Sequence, residues 1–300
     1  MKIDLSKIGT ELQNPNTKNI DRLDSVEMVT LINHEDQRVI DAVGEQTYEI
    51  AAAIDATYDA IAQGGRLVYM GAGTSGRLGV LDASECLPTF GVGEESVIGI
   101  IAGGDIALRH PVEAAEDDEV SGITDLKAIN FSKNDILCAI GASGRTPYCI
   151  GGLKYAKELG AQTISVACVS QSKMAAYADH PIEVVVGQEV ITGSTRMKSG
   201  SATKMVLNMI SSGAMIKLGK VYGNLMVDVK ATNAKLIERA RNIIMNATGC
   251  TYERATDLLN LSDKSVKVAI VMELCNLDVE EALHLLNQNQ GHITRALENK

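Results

Sequence analysis

The chain has 300 residues and a formal net charge of −10, and 45% of its residues are hydrophobic. This content suffices for one large buried core and a smaller second one. An acidic chain without a basic patch is not expected to bind nucleic acid, and with no Trp and two Phe it lacks the usual stacking platform for single strands. No stretch has the length of a signal peptide or of a transmembrane helix, so we expect no membrane partner.

The six cysteines are scattered and form no Cys-x-x-Cys pair. Buried free thiols in a reducing compartment are the simplest interpretation, which predicts a cytoplasmic protein. The five histidines form no pair spaced by four residues, and no His, Cys or Asp cluster has the spacing of a metal site. We therefore predict no bound metal.

The first 60 residues contain a polar segment followed by two amphipathic helices. Residues 1–20 are polar and include Asn14-Pro15-Asn16, which predicts an arm that is mobile or depends on a partner. Asp24 and Glu27 have the spacing of a capping box at the start of a helix. A second helix is predicted from about residue 35 to 61, before Gln63-Gly64-Gly65.

Short apolar segments then alternate with helical segments. Strands are predicted at residues 67–70, 97–101, 136–140, 163–167 and 182–186. Helices are predicted at residues 76–86, 112–119, 147–159 and 173–178, and a long apolar helix at 199–218. This alternation indicates an α/β fold with a parallel sheet covered on both faces. After residue 232, five short amphipathic helices predict a small all-helical domain: 234–245, 251–259, 265–274, 279–286 and 293–297.

Two glycine-rich loops follow the first and third predicted strands and nearly repeat each other. The first loop is Gly71-Ala72-Gly73-Thr74-Ser75-Gly76-Arg77, and the second loop is Gly141-Ala142-Ser143-Gly144-Arg145-Thr146. Where a strand turns into a helix, free backbone N–H groups and the helix dipole favour an anion. The shared Ser-Gly-Arg sequence indicates one ligand-binding layer at the carboxyl edge of one sheet.

The first loop also satisfies the G-x-G-x-x-G pattern of dinucleotide sites. Such a site needs an acid at the end of the second strand, whereas Glu94 and Glu95 precede that strand. The pattern alone is weak, so we predict no cofactor. The sequence leaves two roles open for Arg77 and Arg145: contact with an anion, or a surface salt bridge.

Two pairs of carboxylates with a spacing of three residues are candidates for acid–base chemistry. Asp82 and Glu85 follow the first loop, and Glu113 and Glu116 follow the second predicted strand. A solvated helix face is the ordinary explanation for such pairs. Small and apolar neighbours such as Leu81 favour partial burial instead, which suits a general acid and a general base around one ligand.

A third loop, residues 187–201, opens the long apolar helix. Thr192, Ser194 and Thr195 are of the types that cap helix N-termini. Arg196 and Lys198 follow in the first turn, where the helix dipole disfavours cations. This local conflict predicts an anion bound nearby.

Taken together, these segments closely resemble the N-acetylmuramic acid 6-phosphate etherases. The blocks that carry the resemblance are residues 71–79, 81–86, 113–117, 143–147, 192–198, 223–229 and 246–250. The similarity runs from about residue 19 to 297, with Leu87 where a proline is common in the family. It implies a sugar isomerase (SIS) domain, an αβα sandwich with a five-stranded parallel sheet, at residues 21–232, and a small helical domain at 233–300.

The resemblance also implies an activity. A carbon–oxygen lyase of this family removes D-lactate from N-acetylmuramic acid 6-phosphate during cell-wall recycling. It acts as a homodimer with the site near the subunit interface, and it uses no metal or redox cofactor. The chemistry needs two carboxyls alone, because the ring-opened sugar supplies an aldehyde as electron sink.

The family's functional residues fall on particular positions of this chain. Its catalytic acid falls on Glu85, and its second essential glutamate falls on Glu116 and not on Glu113. The residues expected to bind the substrate are Thr74, Ser75, Gly76, Arg77, Ser143, Gly144, Arg145, Thr146, Ser194, Thr195, Arg196 and Lys198.

Two alternative functions fit the same domain. An aldose–ketose isomerase would also use carboxylates. A sugar-phosphate sensor related to the glucokinase regulatory proteins would bind without turnover, although those regulators usually carry two SIS domains and a 300-residue chain has room for one.

Overall fold

The computed structural model describes residues 9–229 and 233–300. The chain divides into two compact units. The first comprises the described part of Met1–Ser84 together with Glu95–Ser211, and the second comprises Glu85–Glu94 with the described part of Ser212–Lys300. The predicted domain limits at residues 20 and 232 stay a prediction.

A five-stranded parallel sheet forms the centre of the first unit. Its strands are β1 (Leu67–Gly71), β2 (Val97–Ile101), β3 (Ile136–Ile140), β4 (Gln162–Ala167) and β5 (His180–Glu183). They pair in the order β2-β1-β3-β4-β5, and every neighbouring pair is parallel. β1 and β3 are buried along their whole length, as the continuous apolar segments predicted.

In the part of the chain that the structure describes, two α-helices precede these strands, four lie between them and one follows them. Their bounds are α1 (Ser25–Gly44), α2 (Thr47–Ala62), α3 (Gly73–Phe90), α4 (Ile106–Arg109), α5 (Glu119–Ala128), α6 (Pro147–Leu159) and α7 (Lys198–Lys217). The predicted capping box is confirmed: the Asp24 carboxylate accepts the Glu27 N–H at 2.9 Å, and the Glu27 carboxylate accepts the Asp24 N–H at 3.1 Å. The predicted α/β fold, an αβα sandwich with a five-stranded parallel sheet, is the observed fold class.

Several predicted elements differ from the structure, among them the helix predicted at residues 173–178, which is a 3-10 turn, Ala175–Tyr177. The helix predicted at residues 35–61 is two helices, because α1 ends at Gly44 and α2 begins at Thr47. The predicted helix at 112–119 is a single 3-10 turn, Ala115–Asp117; Asp118 then caps α5 by accepting the Val120 N–H at 2.8 Å. The fifth strand is His180–Glu183 instead of 182–186, because pairing with β4 begins at His180 and ends at Glu183; the buried Val184 and Val186 lie beyond it.

Glycines allow α5 and α6 to pack with their backbones in contact. A Cβ added to Gly122 would lie 2.2 Å from the Tyr148 carbonyl oxygen, and one added to Gly151 would lie 2.1 Å from the Glu119 carbonyl oxygen. Neither position can hold a larger residue without separating the helices, so these glycines fix how closely α6 approaches α5.

The second unit is mainly helical. It contains a short hairpin, β6 (Val221–Tyr222) and β7 (Leu225–Met226), and five helices: α8 (Ala234–Thr248), α9 (Tyr252–Leu261), α10 (Val266–Cys275), α11 (Val279–Gln288) and α12 (Ile293–Glu298). Most of α10 is buried, and the other helices pack around it. All five predicted helices are confirmed. Among the described residues, no helix is long and apolar enough to cross a membrane.

An ion pair joins the amino-terminal ends of β1 and β3. The Arg66 side chain donates to Asp135 through Nε at 3.0 Å and Nη2 at 2.9 Å, and the Asp135 side chain is 3% exposed. Burial alone would raise the pKa of Asp135. The hydrogen bonds from Arg66 and Ser132 outweigh burial, so the pKa lies below its usual value.

Asp135→Asn is expected to lower the free energy of unfolding at pH 7 by about 2 kcal/mol, because it leaves Arg66 without its counter-ion. The ion pair contributes fully above the unfolded-state pKa of about 3.9, and the contribution is lost as the pH falls through the lowered folded-state pKa. Urea unfolding at pH 7 and pH 3 should therefore show a difference between wild type and variant that shrinks at pH 3. Glu45→Gln, which breaks the exposed pair with Arg38, is the control. Equal losses from both variants would contradict the prediction.

Candidate active site

The first loop lies directly between β1 and α3. Because α3 begins at Gly73, residues Thr74, Ser75, Gly76 and Arg77 form its first turns. Residue 76 must be a glycine because the backbone of α3 lies close to the end of β1: an added Cβ would lie 2.6 Å from the Gly71 carbonyl oxygen. The Thr74 and Ser75 side chains are half-buried at the end of the sheet.

The second loop leads from β3 into α6 and leaves the start of that helix open. Gly144 has φ +64°, and an added Cβ would lie 2.3 Å from the Ser172 Cβ. Thr146 occupies the N-cap position, but its side chain makes no capping hydrogen bond, and Pro147 has no N–H to satisfy. Ser143 and Arg145 are half-buried beside it. The first turn of α6 thus has no side-chain cap, which is the arrangement that binds an anion.

The third loop precedes α7, whose start is closed by the protein itself. The Glu189 carboxylate accepts the N–H groups of Lys198 and Ser199, each at 2.9 Å, and Glu189 is fully buried. The helix is therefore capped by Glu189 and not by the Ser and Thr residues of the loop. Ser194 and Thr195 are half-buried, and Arg196 is exposed.

Lys198 is buried and paired within the chain. Its Nζ lies 2.9 Å from Oε2 of Glu35 on α1. Glu35 also accepts from the Nδ2 atoms of Asn14 and Asn16. Burial raises the pKa of Glu35, but the hydrogen bonds from Asn16, Lys198 and Asn14 lower it further than burial raises it. For Lys198, the compensation that the sequence predicted from a bound anion comes from Glu189 and Glu35.

The amino-terminal segment is attached to the third loop. The Thr17 hydroxyl donates to the Val190 carbonyl oxygen at 2.8 Å, and Asn14 Nδ2 donates to the Gln188 carbonyl oxygen at 3.3 Å. Asn14 and Thr17 are both buried. The described part of the predicted arm is thus held by its own chain.

Glu116 lines a pocket of about 220 Å³ beside the first loop. The other residues lining it include Gly73, Arg77 and Glu113. Burial, together with the charge of Glu116, raises the pKa of the Cys149 thiol in the first turn of α6 to about 12. The fold therefore brings Glu116 near the helix that follows the second loop.

Glu85 lies on α3, three residues after Asp82, and the two have different environments. Asp82 is buried and accepts from the Tyr69 hydroxyl at 2.8 Å and from Asn208 Nδ2 at 2.5 Å. Glu85 and Glu116 are exposed, so the partial burial that their small neighbours favoured is not found in the single chain. Pro111 to Ala114, which line the same pocket as Glu116, are exposed as well.

Several residues that shape the site were absent from the sequence-based candidates. Glu189 and Glu35 were missed, as was the attachment of Arg77 to the carbonyl oxygens of Ala107 and Leu108. No helix or strand periodicity marks them: Glu35 and Arg77 contact residues far away in the chain, and Glu189 caps α7 from within the irregular third loop. The one available signal was the pair of cations at the start of the predicted helix, Arg196 and Lys198, which required some counter-charge; in the structure only Lys198 lies in α7.

Glu189→Ala is expected to lower the free energy of unfolding by about 2 kcal/mol, because two buried N–H groups of α7 lose their acceptor. Glu189→Gln retains one acceptor oxygen and should lose about half as much. Urea unfolding followed by far-UV circular dichroism measures both. An alanine variant as stable as wild type would show that Glu189 is not the cap.

Two family models match the chain: "Glucokinase regulatory protein N-terminal SIS domain" at residues 49–157, and "SIS domain" at residues 117–212. Curated relatives match along its whole length. The N-acetylmuramic acid 6-phosphate etherase of Clostridium botulinum (strain Hall) is 56% identical over 295 residues, 98% of each chain. N-acetylmuramic acid 6-phosphate etherase 2 of Vibrio parahaemolyticus is 54% identical over 299 residues, 100% of each chain.

Solved structures share the fold of the larger part of the chain. A protein from Bacteroides fragilis, titled a phosphosugar isomerase involved in capsule formation, superposes with a TM-score of 0.50 at 19% identity. The superposition covers 67% of this chain and 95% of that protein. At this identity the likeness concerns the fold alone.

Proposed function

Because the chain belongs to the family of N-acetylmuramic acid 6-phosphate etherases, we propose that its glycine-rich loops and carboxylates cleave the lactyl ether of N-acetylmuramic acid 6-phosphate. It is a carbon–oxygen lyase whose products are N-acetylglucosamine 6-phosphate and D-lactate, in amino-sugar catabolism and cell-wall recycling. The observation that carries this conclusion is 54–56% identity over nearly the whole chain to relatives of that name.

The reaction is an elimination followed by a hydration. Ring opening exposes the C1 aldehyde, which acidifies the hydrogen on C2. A base removes this proton, the C2–C3 double bond forms, and an acid protonates the lactyl oxygen as the C3–O bond breaks. Water then adds to C3 of the unsaturated aldehyde, and a proton returns to C2. The aldehyde accepts the electron pair, so the chemistry requires no metal or redox cofactor.

Glu116 is the base and Glu85 is the acid in this proposal. The position of Glu116 supports its part, because it lines the pocket that includes Gly73 of the first loop. The assignment of Glu85 rests on the Asp-Ala-Ser-Glu-Cys block, in which the family's catalytic acid falls on this residue. A carboxyl group can fill either role when its position relative to C2 or to the lactyl oxygen is fixed.

The phosphate is proposed to bind where α3 and α6 begin. Its ligands are Thr74, Ser75 and Gly76 of the first loop and Ser143, Gly144, Arg145 and Thr146 of the second. The uncapped first turn of α6 supports this placement. Ser194, Thr195 and the exposed Arg196 are proposed to contact the phosphate or the lactyl carboxylate. Lys198, paired with Glu35, would act by holding this loop in place.

We further propose a cytoplasmic homodimer whose second subunit helps to enclose the substrate. The pocket of about 220 Å³ is smaller than the roughly 300 Å³ at the lower end of ligand sites. On α1, Val26, Val29 and Ile40 are 76%, 65% and 61% exposed, as on a face that meets a partner. The buried thiols of Cys138, Cys149 and Cys168, which form no disulfide, support a reducing compartment.

Sedimentation equilibrium should give the mass of a dimer. Val29→Asp is expected to raise the dimer dissociation constant at least tenfold, because a charge would have to be buried at the interface. Val120→Asp, at an equally exposed valine on α5, should leave the dissociation constant within twofold. A wild-type monomer at micromolar concentration would contradict the proposed dimer.

The decisive assay incubates the purified protein with N-acetylmuramic acid 6-phosphate and measures D-lactate. Release of lactate supports the etherase. Binding without lactate would identify a sensor, and interconversion of unbranched hexose phosphates without lactate would identify an isomerase.

Glu85→Ala and Glu116→Ala are each expected to lower kcat by a factor of about 10² or more, because each removes one partner of the acid–base pair. Both variants should remain folded and should still bind inorganic phosphate. Glu113→Ala, which removes a carboxylate from the same pocket, is the matched control and should retain activity. If either catalytic variant keeps full activity, the role assigned to that residue is wrong.

A further inference from the structure

We propose that Arg77 is a positioning residue that holds the Glu116 segment in place, and not a ligand of the substrate phosphate. The inference rests on the proposed function, in which Glu116 removes the C2 proton. It changes the role of Arg77, which the family resemblance placed among the residues expected to bind the substrate.

The Arg77 guanidinium reaches from α3 to the end of α4. Its Nε donates to the Leu108 carbonyl oxygen at 3.0 Å, and its Nη2 donates to the Ala107 carbonyl oxygen at 2.6 Å. Carbonyl groups at the end of a helix lack partners within the helix and carry partial negative charge. The rigid fork of an arginine binds two adjacent carbonyls, which the single ammonium of a lysine cannot reproduce.

The segment after α4 leads from the carbonyl groups bound by Arg77 to the turn that carries Glu116. It runs from His110 to Ala114 without regular structure, and Ala114 has φ +59°, a conformation unfavourable for alanine. Val112 packs against Gly103, where an added Cβ would lie 3.0 Å from the Val112 Cβ. Glu116 follows in the 3-10 turn, so Arg77 fixes the start of the segment that carries it.

Arg77 and Glu116 line the same pocket, so this attachment sets the distance between the first loop and the base. A base acts only within hydrogen-bond reach of its proton, and a displacement of about 1 Å can cost on the order of 10²-fold in rate. The two bonds to backbone carbonyls use Nε and Nη2 and fix the orientation of the guanidinium towards α4. The geometry therefore assigns Arg77 an effect on turnover instead of an effect on phosphate affinity.

The test compares Arg77→Lys and Arg77→Gln with Arg145→Ala, which changes the corresponding arginine of the second loop. Three quantities are measured: kcat and KM for lactate release, competitive inhibition by inorganic phosphate, and exchange of the C2 hydrogen of N-acetylglucosamine 6-phosphate in D₂O. The exchange requires the base but no departure of lactate, so it reports on Glu116 separately.

Both Arg77 variants are expected to lower kcat and the C2 exchange rate by the same factor, about 30-fold, while the inhibition constant of phosphate stays within twofold. Arg145→Ala should instead weaken inhibition by phosphate. Thermal unfolding identifies any variant that has not folded. If one of the two Arg77 variants fails to fold, the other still tests the proposal.

Two results would overturn the proposal: phosphate inhibition weakened tenfold with the C2 exchange rate retained, or unchanged kcat in both folded variants. Lactate release by the wild type distinguishes failure of the positioning proposal from failure of the proposed function. A wild type that releases no lactate refutes the etherase, whereas lactate release by the wild type together with full activity of the variants refutes only the positioning role.

Discussion

The site depends on one constraint of parallel sheets: all strand-to-helix loops emerge at the same edge. β1 and β3 are neighbours in the sheet although about 65 residues separate them, so the first and second loops lie side by side. The repeated Ser-Gly-Arg sequence is thereby brought into one layer. The segment with Glu116 reaches that layer from β2, on the other side of β1.

Two helix N-termini at this edge, those of α7 and α6, differ in whether the protein itself supplies an anion. At α7 the protein supplies the anion, because the buried Glu189 carboxylate takes the first N–H groups. At α6 no side chain caps the helix. The start of α7 is therefore closed by the protein's own carboxylate, whereas the start of α6, where we propose that the phosphate binds, has no side-chain cap. The buried Lys198–Glu35 ion pair links the start of α7 to α1, and Glu35 also accepts a hydrogen bond from Asn14 of the amino-terminal segment.

Much of the fold follows from local pattern. Continuous apolar strands, the Asp24 capping box and the helices after residue 232 are consequences of residue order, and all agree with the structure. The errors have a common origin. Periodicity does not show the break between α1 and α2, nor that Ala114 turns left-handed and delays the helix to Glu119. Such boundaries depend on which backbone groups find partners elsewhere in the chain.

For the site, the sequence by itself determined the chemistry available: two glycine-rich loops, pairs of carboxylates, and a cationic helix start that needed a counter-charge. Only the tertiary structure decided how these groups are used. It gave the counter-charge to Glu189 and Glu35, and it directed Arg77 to backbone carbonyls at the end of α4. The reason is that hydrogen bonds and ion pairs form between groups that are close in space. Sequence spacing fixes such proximity only within a helix or a turn, and folding fixes the rest.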